Sequence, residues 1–104
     1  MASNITKNNL IDQISERTEM DRDKTKATVD AMLELIAENL ETEAKKSADE
    51  RSKIQLIGFG SFEVRDRSAR TGRNPQTGKE MQIPAKTIPA FKAGKSLKDT
   101  VNVK

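Results

Sequence analysis

Six cationic side chains crowd positions 65–88: Arg65, Arg67, Arg70, Arg73, Lys79 and Lys86, opposed only by Asp66 and Glu80. The planar fork of arginine suits phosphate oxygens and groove edges. The chemistry open to this segment is therefore charge-assisted binding of a polyanion, with a solubilising basic hairpin as the plainer alternative. Arg65 and Arg67 share a strand face at period two. Arg70 and Arg73 break that period, and a bulge or extra twist near Ala69 or Gly72 would restore a common face. Beyond them, Asn74-Pro75-Gln76-Thr77-Gly78 makes a turn, with Pro75 suited to its first central position and Gly78 to positive φ. Pro75 has two readings. It is an ordinary turn residue, or it is a rigid apolar wedge with no donor to leave unsatisfied, pushed between base pairs to kink a duplex.

Other chemistry is thinly provided. The chain has no Cys and no His, which excludes disulfide frameworks, thiolate and His-based metal sites and the common catalytic triads. Glu63, Asp66, Glu80 and Asp99 sit within basic stretches and read as charge balance. The expectation is a protein that is not an enzyme, with no metal, no cofactor and no small-molecule substrate. No stretch is long and apolar enough to span a bilayer. The start, Met1 to Thr6, lacks the pattern of a signal peptide, so a cytoplasmic protein is expected and the sequon Asn4-Ile5-Thr6 has no glycosylation to receive.

The elements that must carry the basic segment follow from periodicity. In 104 residues, 34% are hydrophobic and 34% charged, and the only aromatics are Phe59, Phe62 and Phe91. So polar a chain needs extra apolar partners, and a second copy is one way to supply them. Residues 1–50 hold seven Lys/Arg against twelve Asp/Glu (net −5), and residues 51–104 hold twelve against four (net +8). Such asymmetry points to a polyanion met by the second half. Thr6 caps a helix from Lys7 to about Thr18, with Leu10, Ile11 and Ile14 on one face. After a break at Thr18-Glu19-Met20, Asp21 caps a second helix running at least to Leu40. Its stripe is Val29, Met32, Leu33, Ile36, Ala37 and Leu40, wide enough to cover helix 1, a sheet or a dimer mate. From Glu41 to Lys53 the chain either continues as helix, supported by the Glu41–Lys45 spacing, or forms a mobile loop. Ile54 to Ile57 reads as a strand, Gly58-Phe59-Gly60 as a tight turn, and Ser61 onward as a second strand continuing to Ser68. Lys79 to Ile88 returns, with Pro84 and Pro89 marking an interrupted edge strand. Lys92 to Val101 is expected to form a short last helix. A two-stranded ribbon with only Met81, Ile83 and Ile88 as large apolar residues is marginal alone, so residues 65–88 should project as an arm that a partner orders. A ribbon of this kind can lie in a DNA groove.

The run Gly58-Phe59-Gly60-Ser61-Phe62, then Arg65, Arg67, Arg70, Gly72-Arg73-Asn74-Pro75, Thr77, Met81, Ile83-Pro84-Ala85, Pro89-Ala90-Phe91 and Ala93-Gly94-Lys95 resembles the bacterial histone-like HU/IHF family, over about Ile5 to Val101. Minor-groove wedging and bending are documented for that family itself, so they arrive with the resemblance and not from spacing. The resemblance implies an α+β fold: two N-terminal helices, a β-sheet with a protruding two-stranded arm, and a short C-terminal helix. It implies an intertwined homodimer and a single domain over 1–104, with a helical base at 5–50, sheet and arm at 53–91 and a last helix at 92–101. Arg65, Arg67, Arg70 and Arg73 would line the arm against double-stranded DNA, with Lys79 alongside. Asn74 and Pro75 would form the tip, Pro75 intercalating. Lys7, Lys86, Lys92 and Lys95 would touch phosphates. Phe59, Phe62 and Phe91, with Met32, Leu33, Ile36 and Leu40, would build the dimer core. The implied function is architectural: low-specificity binding, bending and compaction of DNA at the nucleoid. Two departures stand out. The Glu41–Lys53 link is about eight residues longer than usual and lacks Gly, and Ser68 and Thr87 replace residues often basic in relatives.

Three other functions compete. A site-preferring, IHF-like bender is the nearest. A basic module for an acidic protein partner is another. A helix-turn-helix reader would place its recognition helix in the acidic half, where phosphates repel it.

Overall fold

A computed structural model of the chain describes residues 2–104. Helix α1 spans Lys7–Thr18 and α2 spans Arg22–Ala44. Thr6 starts α1 through a reciprocal cap: its hydroxyl accepts from the Asn9 N–H at 3.2 Å, and the Asn9 side chain accepts from the Thr6 N–H at 2.9 Å. Glu19 ends the helix in the left-handed region, φ 56°. Asp21 caps α2 by accepting from the Lys24 N–H at 3.2 Å. The two helices are tied by Arg22–Asp12 at 2.6 Å and Lys7–Asp30 at 2.8 Å. Asp30 is shared with Lys26 at 2.9 Å, and hydrogen bonds from Lys7 and then Lys26 hold its carboxyl below the ordinary range.

The chain divides into two compact units, one running to Glu38 and one from Asn39 to Lys104. In the second unit the Glu41–Lys53 link follows the helical alternative only in its first residues, and the rest leaves the α-helix and is tied to its neighbours. Helix α2 continues to Ala44, and a 3-10 turn follows at Ala48–Glu50. Strand β1 is Ile54–Leu56, β2 Gly60–Arg67, β3 Arg70–Arg73, β4 Glu80–Ile83 and β5 Lys86–Ala93, and α3 is Lys95–Val101. The sheet order is β1-β2-β5, all antiparallel, with β3 and β4 forming a separate ribbon.

Three expectations require correction. The first strand stops at Leu56. Ile57 lies in the turn, fully exposed, because the Phe59 N–H closes back on the Leu56 carbonyl at 2.9 Å. The last helix begins at Lys95, not Lys92. Lys92 and Ala93 remain in β5, where they pair with Ser61 and Gly60, and Gly94 caps α3. No bulge occurs at Ala69 or Gly72. Pairing runs Arg67↔Lys86 and then Arg70↔Ile83, so two residues on each strand, Ser68-Ala69 and Pro84-Ala85, interrupt the ladder together. Proline at 84 has no N–H to give the ladder.

Gly60 is fixed by close approach: a Cβ there would stand 2.5 Å from the Phe91 ring and 2.6 Å from the Lys92 carbonyl. Phe91 in turn packs against Phe62 and Phe59, centroids 4.9 and 5.6 Å away. Among the described residues only Ile11 and Thr25 are buried. The remaining apolar side chains of α2 and the sheet are half-buried or open.

Candidate nucleic-acid interface

Two antiparallel strands carry the arm outward. Six residue steps lead from Arg67, the end of β2, to Arg73, the end of β3, a reach of about 20 Å at strand rise. Within the ribbon Ile83 lies over Gly72, its Cδ1 2.6 Å from the place of a Cβ, with Met81 Cγ at 4.0 Å.

At the tip, the Asn74 N–H donates to the Lys79 carbonyl at 2.9 Å, and its own carbonyl accepts from the Gly78 N–H at 2.7 Å. The Asn74 side chain accepts from the Gln76 N–H at 2.9 Å, an Asx turn. Gly78 takes φ 72° to re-enter the strand. Asn74 is half-buried and committed to this network, while Pro75 is exposed. The tip therefore presents a rigid apolar ring on a hydrogen-bonded mount.

Register assigns the cations to faces. Arg65 faces Ile88 and Arg67 faces Lys86, on one side of the β2–β5 pair. Arg70 faces Ile83 and Arg73 faces Glu80, so with no bulge these two stand on opposite faces of the β3–β4 ribbon. The common face expected for all four arginines is not formed; the arm is cationic on both sides. Among the described residues, Arg67, Arg70, Arg73, Lys79 and Lys86 enter no ion pair. Arg65 differs: its guanidinium holds the Glu63 carboxylate at 2.7 and 3.1 Å. That hydrogen bond, with charge from nearby Lys53 at 3.6 Å, keeps Glu63 below its ordinary range.

On the body, Lys92 and Lys95 border an open groove of about 660 Å³ formed by the Ile57–Gly60 turn and the start of α3. Lys95 is paired with Asp99 at 2.7 Å. Lys98 lines the same groove; its spacing of three from Lys95 was the signal for it. Lys7 is held by Asp30 within the first unit. Arg51 and Lys53 are further cations absent from the expected set, reaching Asp66 and Glu63; nothing in their local sequence marks them. Of the expected dimer-core residues, Phe59 and Phe91 are 47% and 43% exposed, Met32 and Leu33 49% and 50%, and Phe62, Ile36 and Leu40 are half-buried. Leu35, outside the expected stripe, is exposed as well.

Among the described residues no cluster of acidic side chains is arranged to hold a metal ion, and no helix is long and apolar enough to cross a membrane.

Comparison with known proteins agrees with this architecture. The chain is 48% identical to the DNA-binding protein HU of Staphylococcus aureus over 97 residues, covering 93% of this chain and 99% of that one. It is 50% identical to the DNA-binding protein HU-1 of Halalkalibacterium halodurans over 98 residues, covering 94% and 100%. A cocrystal structure of Anabaena HU with DNA superposes with a TM-score of 0.82 at 38% identity, covering 95% and 99%. Residues 5–102 match the family described as bacterial DNA-binding protein, and the chain belongs to that family, HU among its members.

Proposed function

We propose that this chain is an architectural, nucleoid-associated DNA-binding protein that grips duplex DNA through the minor groove with little sequence specificity, and bends and compacts it. The observation that carries this reading is the arm: among the described residues Arg67, Arg70, Arg73, Lys79 and Lys86 enter no ion pair, and the stretch 65–88 that carries them has only Met81, Ile83 and Ile88 as large apolar residues. Left alone, those charges repel one another; a polyanion relieves them. Arg67, Arg70, Arg73, Lys79 and Lys86 are its grip, with Arg65 joining as Glu63 releases it, and Pro75 is its wedge. Asn74 mounts the wedge. Lys92 and Lys95 on the groove, and Lys7 on α1, supply phosphate contacts from the body.

The exposed apolar residues of α2 and the open faces of Phe59 and Phe91 support an intertwined homodimer, with each chain acting as one DNA-binding domain and the whole acting in the cytoplasm. Relatives named as DNA-binding proteins support a role without catalysis.

Gel-shift titration on intact, nicked and four-way-junction DNA at several salt levels tests the proposal. The expected result is a linear fall of log K with log salt and tighter binding to the distorted forms, which need less bending energy. Equal affinity for all three forms with no salt dependence would reject it. Incubation of DNA with Mg²⁺ is expected to leave it uncut.

A further inference from the structure

The long link between α2 and β1 is docked, and one residue docks it. Arg51 is 10% exposed. Its Nε donates to the carbonyls of Glu43 and Lys46, each at 3.2 Å, and its Nη2 to that of Ala44 at 3.1 Å. Carbonyls at a helix C-terminus lack regular partners, and a cation there is favoured. The other arm of the fork, Nη1, reaches the Asp66 carboxylate on β2 at 3.1 Å. That carboxylate also accepts from the Thr87 hydroxyl at 3.1 Å, directly across on β5. The link is pinned a second time where the Ser52 N–H donates to the Glu43 carboxylate at 2.7 Å, which Lys46 holds as well at 3.0 Å.

Asp66 and Thr87 occupy one face of the β2–β5 pair; Arg65, Arg67 and Lys86 occupy the other. Arg51 therefore grips the root of the arm from behind the cationic face. We infer that Arg51 is a positioning residue for DNA binding: by bridging the end of α2 to the Asp66–Thr87 pair, it fixes the direction in which the ribbon leaves the sheet. The cations on the opposite face then meet the duplex with part of their ordering already done, which raises affinity without a new contact. This gives the extended link a function, and it rests on the DNA-binding reading above.

A double-mutant cycle on the full chain tests it, with gel-shift affinity for intact duplex as the readout. Arg51→Ala is expected to weaken binding roughly threefold to tenfold when Asp66 is present, and less than about twofold in an Asp66→Ala background. Within each background the residue at 66 is the same in both members, so its own effect on binding cancels from each ratio. An equal factor in both backgrounds would show Arg51 acting as a phosphate contact or only as a helix cap, and no loss in either would also overturn the inference. If Arg51→Ala lowers the folded fraction, Arg51→Lys serves, since an ammonium does not bridge the carbonyls and Asp66 at once; the same coupling is expected. Amide hydrogen exchange without DNA supplies the independent measurement. Exchange at residues 65–67 and 86–88 should quicken in Arg51→Ala, and unchanged protection there rejects the latch. Failure of the wild-type chain to bind DNA would instead sink the proposed function, leaving the exchange result to decide the latch.

Discussion

At the tip of the arm, Asn74 and Pro75 divide the work. Asn74 spends its backbone and side-chain groups on the turn, while Pro75 is left exposed with no donor to satisfy. Pro75→Ala is therefore expected to reduce DNA bending more than binding, measured by ring closure of short fragments; unchanged closure would remove Pro75 as the wedge. Ile11 lies at the opposite extreme, with no exposed surface. Truncating a buried isoleucine costs about 2–5 kcal/mol, so Ile11→Ala should lower the urea midpoint by a corresponding amount. Thr25, equally hidden, gives its hydroxyl to the Asp21 carbonyl at 2.9 Å, which is how a polar group comes to sit there without penalty.

The arm as an element acts by charge. Arg67→Glu with Arg70→Glu is expected to weaken binding to all sequences alike and to reduce the salt slope by about two; gel-shift affinities at the wild-type level would exclude the arm as the grip. Much of this element was legible in the residues: Thr6 and Asp21 marked both helix starts, the Asn74–Gly78 turn was placed, and Pro84 fell at the interruption. What escaped has physical reasons. Period two alone does not distinguish a bulge from a paired interruption, because the answer depends on the facing strand: Pro84-Ala85 matches Ser68-Ala69 residue for residue. Lys92 has no local feature that separates strand from helix; its strand position comes from pairing with Ser61, distant in sequence. Arg51 was silent because its partners, the α2 carbonyls and Asp66, are assembled only by the fold. The contacts of each cation with DNA belong to the bound complex, and residue types alone could indicate only their sign.

For the molecule as a whole, a chain whose described residues include only two buried side chains, with Met32, Leu33 and Leu35 exposed, is short of core. Sedimentation should show a dimer, with a melting temperature that rises with protein concentration, and Leu33→Glu should shift the population toward monomer. Stability should also track pH. Asp30, Glu43 and Glu63 are all held below their ordinary values of 3.8, 4.5 and 4.5 by hydrogen bonds from Lys7, Ser52 and Arg65 respectively, with further help from nearby lysines. A depressed carboxyl contributes stability above its unfolded value and loses it as pH falls through its folded one. The urea midpoint should therefore decline as pH drops below about 4.5, and Asp30→Asn with Glu63→Gln should flatten that decline. The unslipped pairing from Gly60↔Ala93 to Arg73↔Glu80 has a different consequence. It makes the arm a ruler. Removing two residues from each strand would shorten its span by about 7 Å and keep every side chain on its face, whereas removing one residue from a single strand would turn over everything beyond the cut. Reach can thus change in two-residue steps while the sheet beneath stays as it is.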